Sequence, residues 1–296
     1  MKIHLIDGTY ELFRAYFAMP KSTGPADQPT GAARGLLQTL LALLRQDDVT
    51  HIACAFDSEI LSFRNDLFAG YKTGEDTPKD LRAQFELAER VASTLGLVVW
   101  RMMEFEADDA IATAACRWAD DPAVEQVVMC SPDKDLAQIV RGSNVVSLDR
   151  RRDQVFDEAG VIDKFGVSPA SIPDYLALVG DSADGIPGVP RWGAKSTAQV
   201  LQRYKHIEEI PNDASEWDIK VRGGNTLARN LSEKRKLAAL YKQLATLRLD
   251  VPISESLQCL EWQGARKSDY QALCVECGFD RFIDSPHKWQ EDGATL

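Results

Sequence analysis

The chain has 296 residues, 45% of them hydrophobic, with a formal net charge of -11, six cysteines and four histidines. That is enough to bury a sizeable core in one large domain, or in one domain with a smaller appendage. No apolar run reaches the roughly 20 residues of a membrane helix, and the opening MKIHLIDGTY lacks the apolar stretch and cleavage site of a signal peptide, so the expectation is a soluble cytoplasmic protein, no membrane and a monomer by default.

In chain order, residues 2–6 (KIHLI) read as a strand ending at Asp7-Gly8. Residues 31–46 carry Leu at helical spacing. HIACAF, 51–56, is a second strand, ending at Asp57. Pro78 starts a helix predicted to run to about residue 95, and LGLVVW, 95–100, is a third strand. Glu106 opens a helix, QVVMC (126–130) is a fourth strand followed by a turn into a short helix at Asp133, and NVVSL (144–148) is a fifth strand. Strands alternating with helices predict an α/β fold, a mostly parallel central sheet with flanking helices. After about residue 166 the pattern turns to helices joined by Gly/Pro turns. The division expected is 1–166 for the α/β domain, 167–250 for a helical region and 251–296 for a C-terminal segment packing on the first.

Acidic residues recur where such a sheet binds ligands, beyond the carboxyl ends of its strands. Asp7, Asp57 and Asp133 each follow a strand. Glu106, Asp108 and Asp109 stand at a helix start, Asp133 is followed by Asp135, and Asp181 and Asp184 share a Gly-rich loop. Turn and capping roles account for such acids singly, but less well for nine. Gathered carboxylates repel unless cations hold them. Oxygen donors suit Mg²⁺ or Mn²⁺, and two such ions about 4 Å apart promote phosphodiester hydrolysis. The negative total is a weak guide to partners: with nine carboxylates matched by cations, the remainder carries only about -2, and local basic patches can face phosphate. Cys274 and Cys277 have metal-ligand spacing but no second pair nearby, so no structural zinc is expected.

Five stretches, LIDGTYELFRAYFA, FDSEILSFRNDLFAGYKTG, FEADDAIATAA, SPDKDLAQIV and LVGDSADGIPGVPRWGAKSTAQVL, follow one another over roughly residues 1–205. In that order the chain resembles the bacterial and phage 5′–3′ exonuclease and flap endonuclease family, which includes the N-terminal domain of DNA polymerase I. The resemblance implies a PIN-like nuclease domain followed by a helix–three-turn–helix region that grips duplex DNA. It assigns Asp7, Asp57, Glu106, Asp108 and Asp109 to one metal group and Asp133, Asp135, Asp181 and Asp184 to another, with Asp7, Asp57, Asp133, Asp184 and Lys72 in catalysis.

It also implies DNA contacts at Tyr71, Lys72 and Arg82, and at Gly188, Arg191, Gly193, Lys195 and Ser196 of the hairpin, where carbonyls hold a K⁺ ion. Relatives often carry Arg where this chain has Glu75, with Arg82 and Arg64 the candidates to substitute, and Gly where it has Arg191. The implied activity is structure-specific hydrolysis of DNA at 5′ flaps, branches or free 5′ ends by a free-standing nuclease. The rival readings are a non-catalytic branched-DNA binder and a ribonuclease of the same acid-cluster type. Tyr16 and Phe17, after the first acid, read either as core or as a stacking surface for an unpaired base.

Overall fold

The structure is a computed structural model that describes residues 1–290. Its elements are β1 (Lys2–Asp7), α1 (Gly8–Ala18), α2 (Gly31–Leu44), β2 (His51–Asp57), α3 (Phe63–Leu67), α4 (Lys79–Arg82), α5 (Phe85–Thr94), β3 (Val98–Met102), α6 (Ala107–Trp118), β4 (Gln126–Cys130), β5 (Val145–Asp149), β6 (Gln154–Phe156), α7 (Glu158–Phe165), α8 (Ile172–Val179), α9 (Ala194–Tyr204), α10 (Gly224–Ala245) and α11 (Lys267–Cys277). Among the described residues, no helix is long and apolar enough to cross a membrane.

The chain divides into two compact units that interleave along the sequence. The first comprises Met1–Ile60, Gly74–Ser131 and residues 249–290. Its strands lie in the order β3-β2-β1-β4, all parallel. A parallel sheet covered by helices reads as continuous apolar runs, and Ile3, Leu5, Ile6, Ala53, Cys54, Val127 and Met129 are fully buried. Helices α1, α5 and α6 pack against these strands, and α2 packs on α1 and α5. From Leu249 the chain returns to this unit: Trp262 donates its amide to Thr50 O at 2.8 Å and its indole N–H to Leu95 O at 2.8 Å.

Two differences from the sequence expectation lie here. The helix predicted from Pro78 to about 95 is broken at Ala83–Gln84 into α4 and α5. Gln84 is 2% exposed, its Nε2 donates to Asp80 O, and its Oε1 accepts the Ala32 and Ala33 amides that open α2. Thr30, the N-cap of α2, makes no side-chain cap, so a distant amide satisfies those N–H groups. The third strand runs Val98–Met102, later than the predicted 95–100, because Gly96 takes φ +82 and turns the chain before it.

The second unit comprises Leu61–Thr73 and Pro132–Arg248. It holds the antiparallel pair β5–β6, of which β6 is a three-residue strand that sequence periodicity did not signal. The rest is helical, with α8 at its centre against α9 and α10. Asp174 of α8 is fully buried and paired with Lys242, His206 and the Ile207 amide. Helix α3 is tied to the end of α10 by Arg64, which is 2% exposed and donates to the carbonyls of Leu244 and Thr246. That burial withdraws Arg64 as a substitute for the missing arginine at Glu75, whereas Arg82 is exposed.

Candidate metal and nucleic-acid site

In the first unit, β1 and β2 are neighbours, and Asp7 and Asp57 close them at the same carboxyl end. Asp7 is the N-cap of α1: its Oδ1 accepts the Tyr10 amide at 2.8 Å, and its Oδ2 accepts the Ser131 hydroxyl at 2.9 Å. Asp57 Oδ1 accepts the Ala107 amide at 2.7 Å, which brings the start of α6 to the end of β2. Glu106 is the N-cap of α6, and Asp109 Oδ2 accepts the Glu106 amide at 3.0 Å. Asp109 is fully buried and Glu106 is 7% exposed. The capping role is therefore real for Asp7 and Asp109, yet neither is the solvated acid of an ordinary helix start. The hydroxyls of Thr9 and Ser131, which brace the Asp57 amide and the Asp7 carboxylate, carried no signal in the sequence.

In the second unit, Asp135, Asp181 and Asp184 offer ligand atoms that all lie within 4.8 Å of one another, a group able to hold a metal ion. Three turns build it. Asp133 Oδ1 accepts the Asp135 amide at 2.9 Å, a 3-10 turn carries Asp135, and Asp181 Oδ1 accepts the Ala183 amide at 3.0 Å. Asp133 itself is exposed. Burial, and then the charges of Asp133, Asp184 and Asp181, push the Asp135 carboxyl well above its ordinary range. One of its oxygens is buried without a hydrogen-bond partner. Oxygen-only donors at this separation, one of them orphaned, fit a hard divalent cation.

Two lysines reach this group. Lys72 Nζ pairs with Asp184 Oδ1 at 2.9 Å, and the Lys72 amide donates to Asp184 O at 3.0 Å. Lys134, which sequence reasoning passed over, pairs with Asp181 Oδ2 at 2.6 Å. The placement of Lys72 depends on glycine at Gly185, where φ is +76 and a Cβ would stand 2.2 Å from Gly70 O. Tyr71 is 3% exposed, with Lys72 Nζ 5.5 Å from its ring centroid. The ring thus backs the lysine and is not free to meet a base.

The hairpin residues lie between α8 and α9. Gly188 takes φ +73 and Arg191 takes φ +73. Gly193, Lys195 and Arg191 are exposed, Ser196 is half-buried, and Ser196 Oγ accepts the Gly193 amide at the start of α9. Trp192 is buried, its indole donating to Leu227 O. Further along, Lys220, Arg222, Arg229, Lys234 and Lys236 are exposed, whereas Arg235 holds the carbonyls of Ile207 and Ile210. Phe17 is 74% exposed and Tyr16 donates its hydroxyl to Asp80, so neither is a core residue.

Strand-end acids in one unit and a tight carboxylate triad in the other define an α/β protein of the acid-cluster class. Residues 2–166 match the 5′-3′ exonuclease N-terminal resolvase-like domain, and residues 167–268 match the 5′-3′ exonuclease C-terminal SAM fold. The chain belongs to the 5′-3′ exonuclease family. It is 34% identical over 252 residues to the 5′-3′ exonuclease of Buchnera aphidicola subsp. Baizongia pistaciae, covering 84% of this chain and 82% of that one. It is 35% identical over 289 residues to DNA polymerase I of Pseudomonas aeruginosa, covering 95% of this chain and 31% of that protein. The chain therefore spans about a third of the length of the polymerase relatives it matches. Its fold is similar to that of phage T5 5′-exonuclease solved with zinc, with a TM-score of 0.67 at 16% identity over 83% of this chain and 89% of that chain. The catalytic core of Rad2 in complex with DNA substrate aligns with a TM-score of 0.60 at 11% identity over 92% of this chain and 85% of that chain.

Proposed function

We propose that the chain is a divalent-metal-dependent nuclease that hydrolyses DNA phosphodiesters at 5′ flaps, branches or free 5′ ends. The observation that carries this reading is the triad of Asp135, Asp181 and Asp184, with ligand atoms within 4.8 Å of one another. Like charges this close destabilise the fold unless a cation or protons offset them. Asp133, Asp135, Asp181 and Asp184 would hold one Mg²⁺ or Mn²⁺ ion, and Asp7, Asp57, Glu106, Asp108 and Asp109 a second. Ions of this kind, when bound, lower the pKa of water and offset charge on a leaving oxygen.

The chain's own residues do the rest. The Lys72 ammonium offsets charge that develops on the phosphoryl oxygens, with Asp184 and the Tyr71 ring holding it in place. The open start of α9 at Gly193, Lys195 and Ser196 offers backbone N–H groups and charge to a duplex phosphate. Gly188 shapes the turn before it, Arg191 adds a further cation, and hairpin carbonyls take a K⁺ ion. Arg82 is the exposed cation that stands in for the one missing at Glu75. Such contacts read phosphate, not bases, so recognition follows DNA structure. The protein acts as a cytoplasmic monomer, with the acid-bearing domain in 1–166, the duplex-binding region in 167–250 and a supporting segment in 251–296, whose last six residues lie outside the described structure.

The test is Mg²⁺-dependent cleavage of a 5′ flap. Asp133→Asn and Asp184→Asn are expected to abolish cleavage while DNA binding stays measurable; near-wild-type turnover in both would overturn the reading.

A further inference from the structure

A tenth acid sits beside the first group. Glu89 of α5 is 6% exposed, on a helix face otherwise formed by Leu87, Ala88, Val91 and Ala92. A buried carboxylate needs partners for its charge, and Glu89 has one for each oxygen. Its Oε1 accepts the Ser58 hydroxyl, and its Oε2 pairs with Arg101 Nε at 2.8 Å. Glu89 thus has both oxygens committed to Ser58 and Arg101. It bridges the exit of β2 to β3.

That exit directly follows Asp57. The Ser58 and Glu59 amides both donate to Met102 O, at 2.9 and 3.1 Å. The Asp57 amide donates to Thr9 Oγ1 at 2.8 Å. Asp57 and Glu89 line one crevice with Thr9, Leu12, Phe56 and Phe85, too narrow to admit a water molecule. The Asp57 peptide is thus held on its N-terminal side by Thr9 and on its C-terminal side by Ser58. Among the described residues, the Ser58 hydroxyl ties that side to α5 through Glu89, while the Asp57 carboxylate itself meets the start of α6 at the Ala107 amide.

We propose that Glu89 is a positioning residue for Asp57: through Ser58 it fixes the turn that aims the Asp57 carboxylate. The proposal rests on the nuclease reading and extends it. Hydrogen-bond partners behind a metal ligand typically change metal affinity by about 10- to 100-fold when removed. A Glu89 that served stability alone would lower the melting temperature and leave metal affinity untouched.

The test uses Mn²⁺ alone, titrated calorimetrically into the full chain, with Asp57→Asn marking the site that depends on the first group. Ser58→Ala and Glu89→Ala are each expected to weaken that site by about tenfold. The double variant should fall within about twofold of the weaker single one, because both changes break one link. Glu89→Gln, which keeps an acceptor for Ser58, is expected to recover most of the affinity. Arg101→Ala leaves the Ser58 link intact and should keep Mn²⁺ affinity within about twofold of wild type, while lowering the melting temperature because it unpairs a buried charge. Should Glu89→Ala not fold, Ser58→Ala removes a single hydroxyl and reports the same link. Wild-type Mn²⁺ affinity in a folded Ser58→Ala protein overturns the proposal and leaves the nuclease reading standing. A wild-type chain that takes up no Mn²⁺ sinks both.

Discussion

At the scale of single residues, the acids hold two jobs at once. Asp7, Asp57, Asp109, Asp133 and Asp181 each accept a backbone amide; for all but Asp57, whose partner Ala107 is fifty residues away, that is what turn and capping propensities predict. Asp135 departs from this pattern, with a buried oxygen that has no partner and a carboxyl raised by burial and its acidic neighbours. Its charge opposes folding unless a cation is present. In EDTA at neutral pH, Asp135→Asn is expected to melt higher than wild type. With Mn²⁺ in excess the order should reverse, since ion binding to the native state stabilises it by mass action. Thermal scans in the two buffers check both halves, and an Asn variant that melts lower in EDTA would count against the repulsion. Arg191 is the other residue out of pattern. It holds φ +73 at a position exposed to solvent, a conformation that costs a residue with a Cβ roughly 1–2 kcal/mol. Arg191→Gly should relieve part of that and raise the melting temperature by about 2 °C, while weakening duplex binding if Arg191 meets phosphate.

Elements follow the sequence where one signal dominates and depart where a distant side chain decides. Strands β1, β2 and β4 are apolar runs buried on both faces, so composition alone locates them. The helix break at Gln84 could not be read in that way. Residues 79–94 contain no internal proline or glycine, and the cause is the need of α2, some fifty residues earlier, for two acceptors. Gln84→Ala would leave the Ala32 and Ala33 amides buried and unpaired at about 1–3 kcal/mol each, so a loss of about 2–6 kcal/mol in chemical denaturation is expected. Gln84→Glu keeps the acceptor beside a helix start and should cost much less. A small effect of Gln84→Ala would mean that other groups cap α2. The short β6 escaped the reading for a related reason. Three residues, two of them exposed, have no apolar periodicity to show, and pairing with β5 alone makes them a strand. The site was legible to a similar degree. Each acid stood at a predicted strand end, helix start or loop, whereas Thr9, Ser131, Lys134 and Glu89 are ordinary residues whose roles come from what the fold brings beside them.

For the molecule as a whole, the proposed function raises the question of how a chain of net charge -11 would bind a polyanion. Its basic residues are concentrated in the hairpin and along α9 and α10, where Arg191, Lys195, Lys220, Arg222, Arg229, Lys234 and Lys236 are exposed. The nine acids sit at strand ends, helix starts and turns, and the last two, Asp181 and Asp184, directly precede that stretch. Two divalent ions bound to those acids would bring the total from -11 to about -7 and, more to the point, neutralise charge locally where phosphate approaches, so repulsion should fall. DNA affinity is therefore expected to depend on divalent ions even without cleavage. With a 5′ flap and Ca²⁺, a hard ion of larger radius, binding measured by anisotropy should tighten relative to EDTA. The dependence of log affinity on log salt should have a slope set by the number of phosphates neutralised. Removing one hairpin cation with Lys195→Ala should shallow that slope by about 1. The same change should leave the Ca²⁺ effect in place, because that effect belongs to the acids. Equal affinity in Ca²⁺ and EDTA would mean that the carboxylates do not face the DNA.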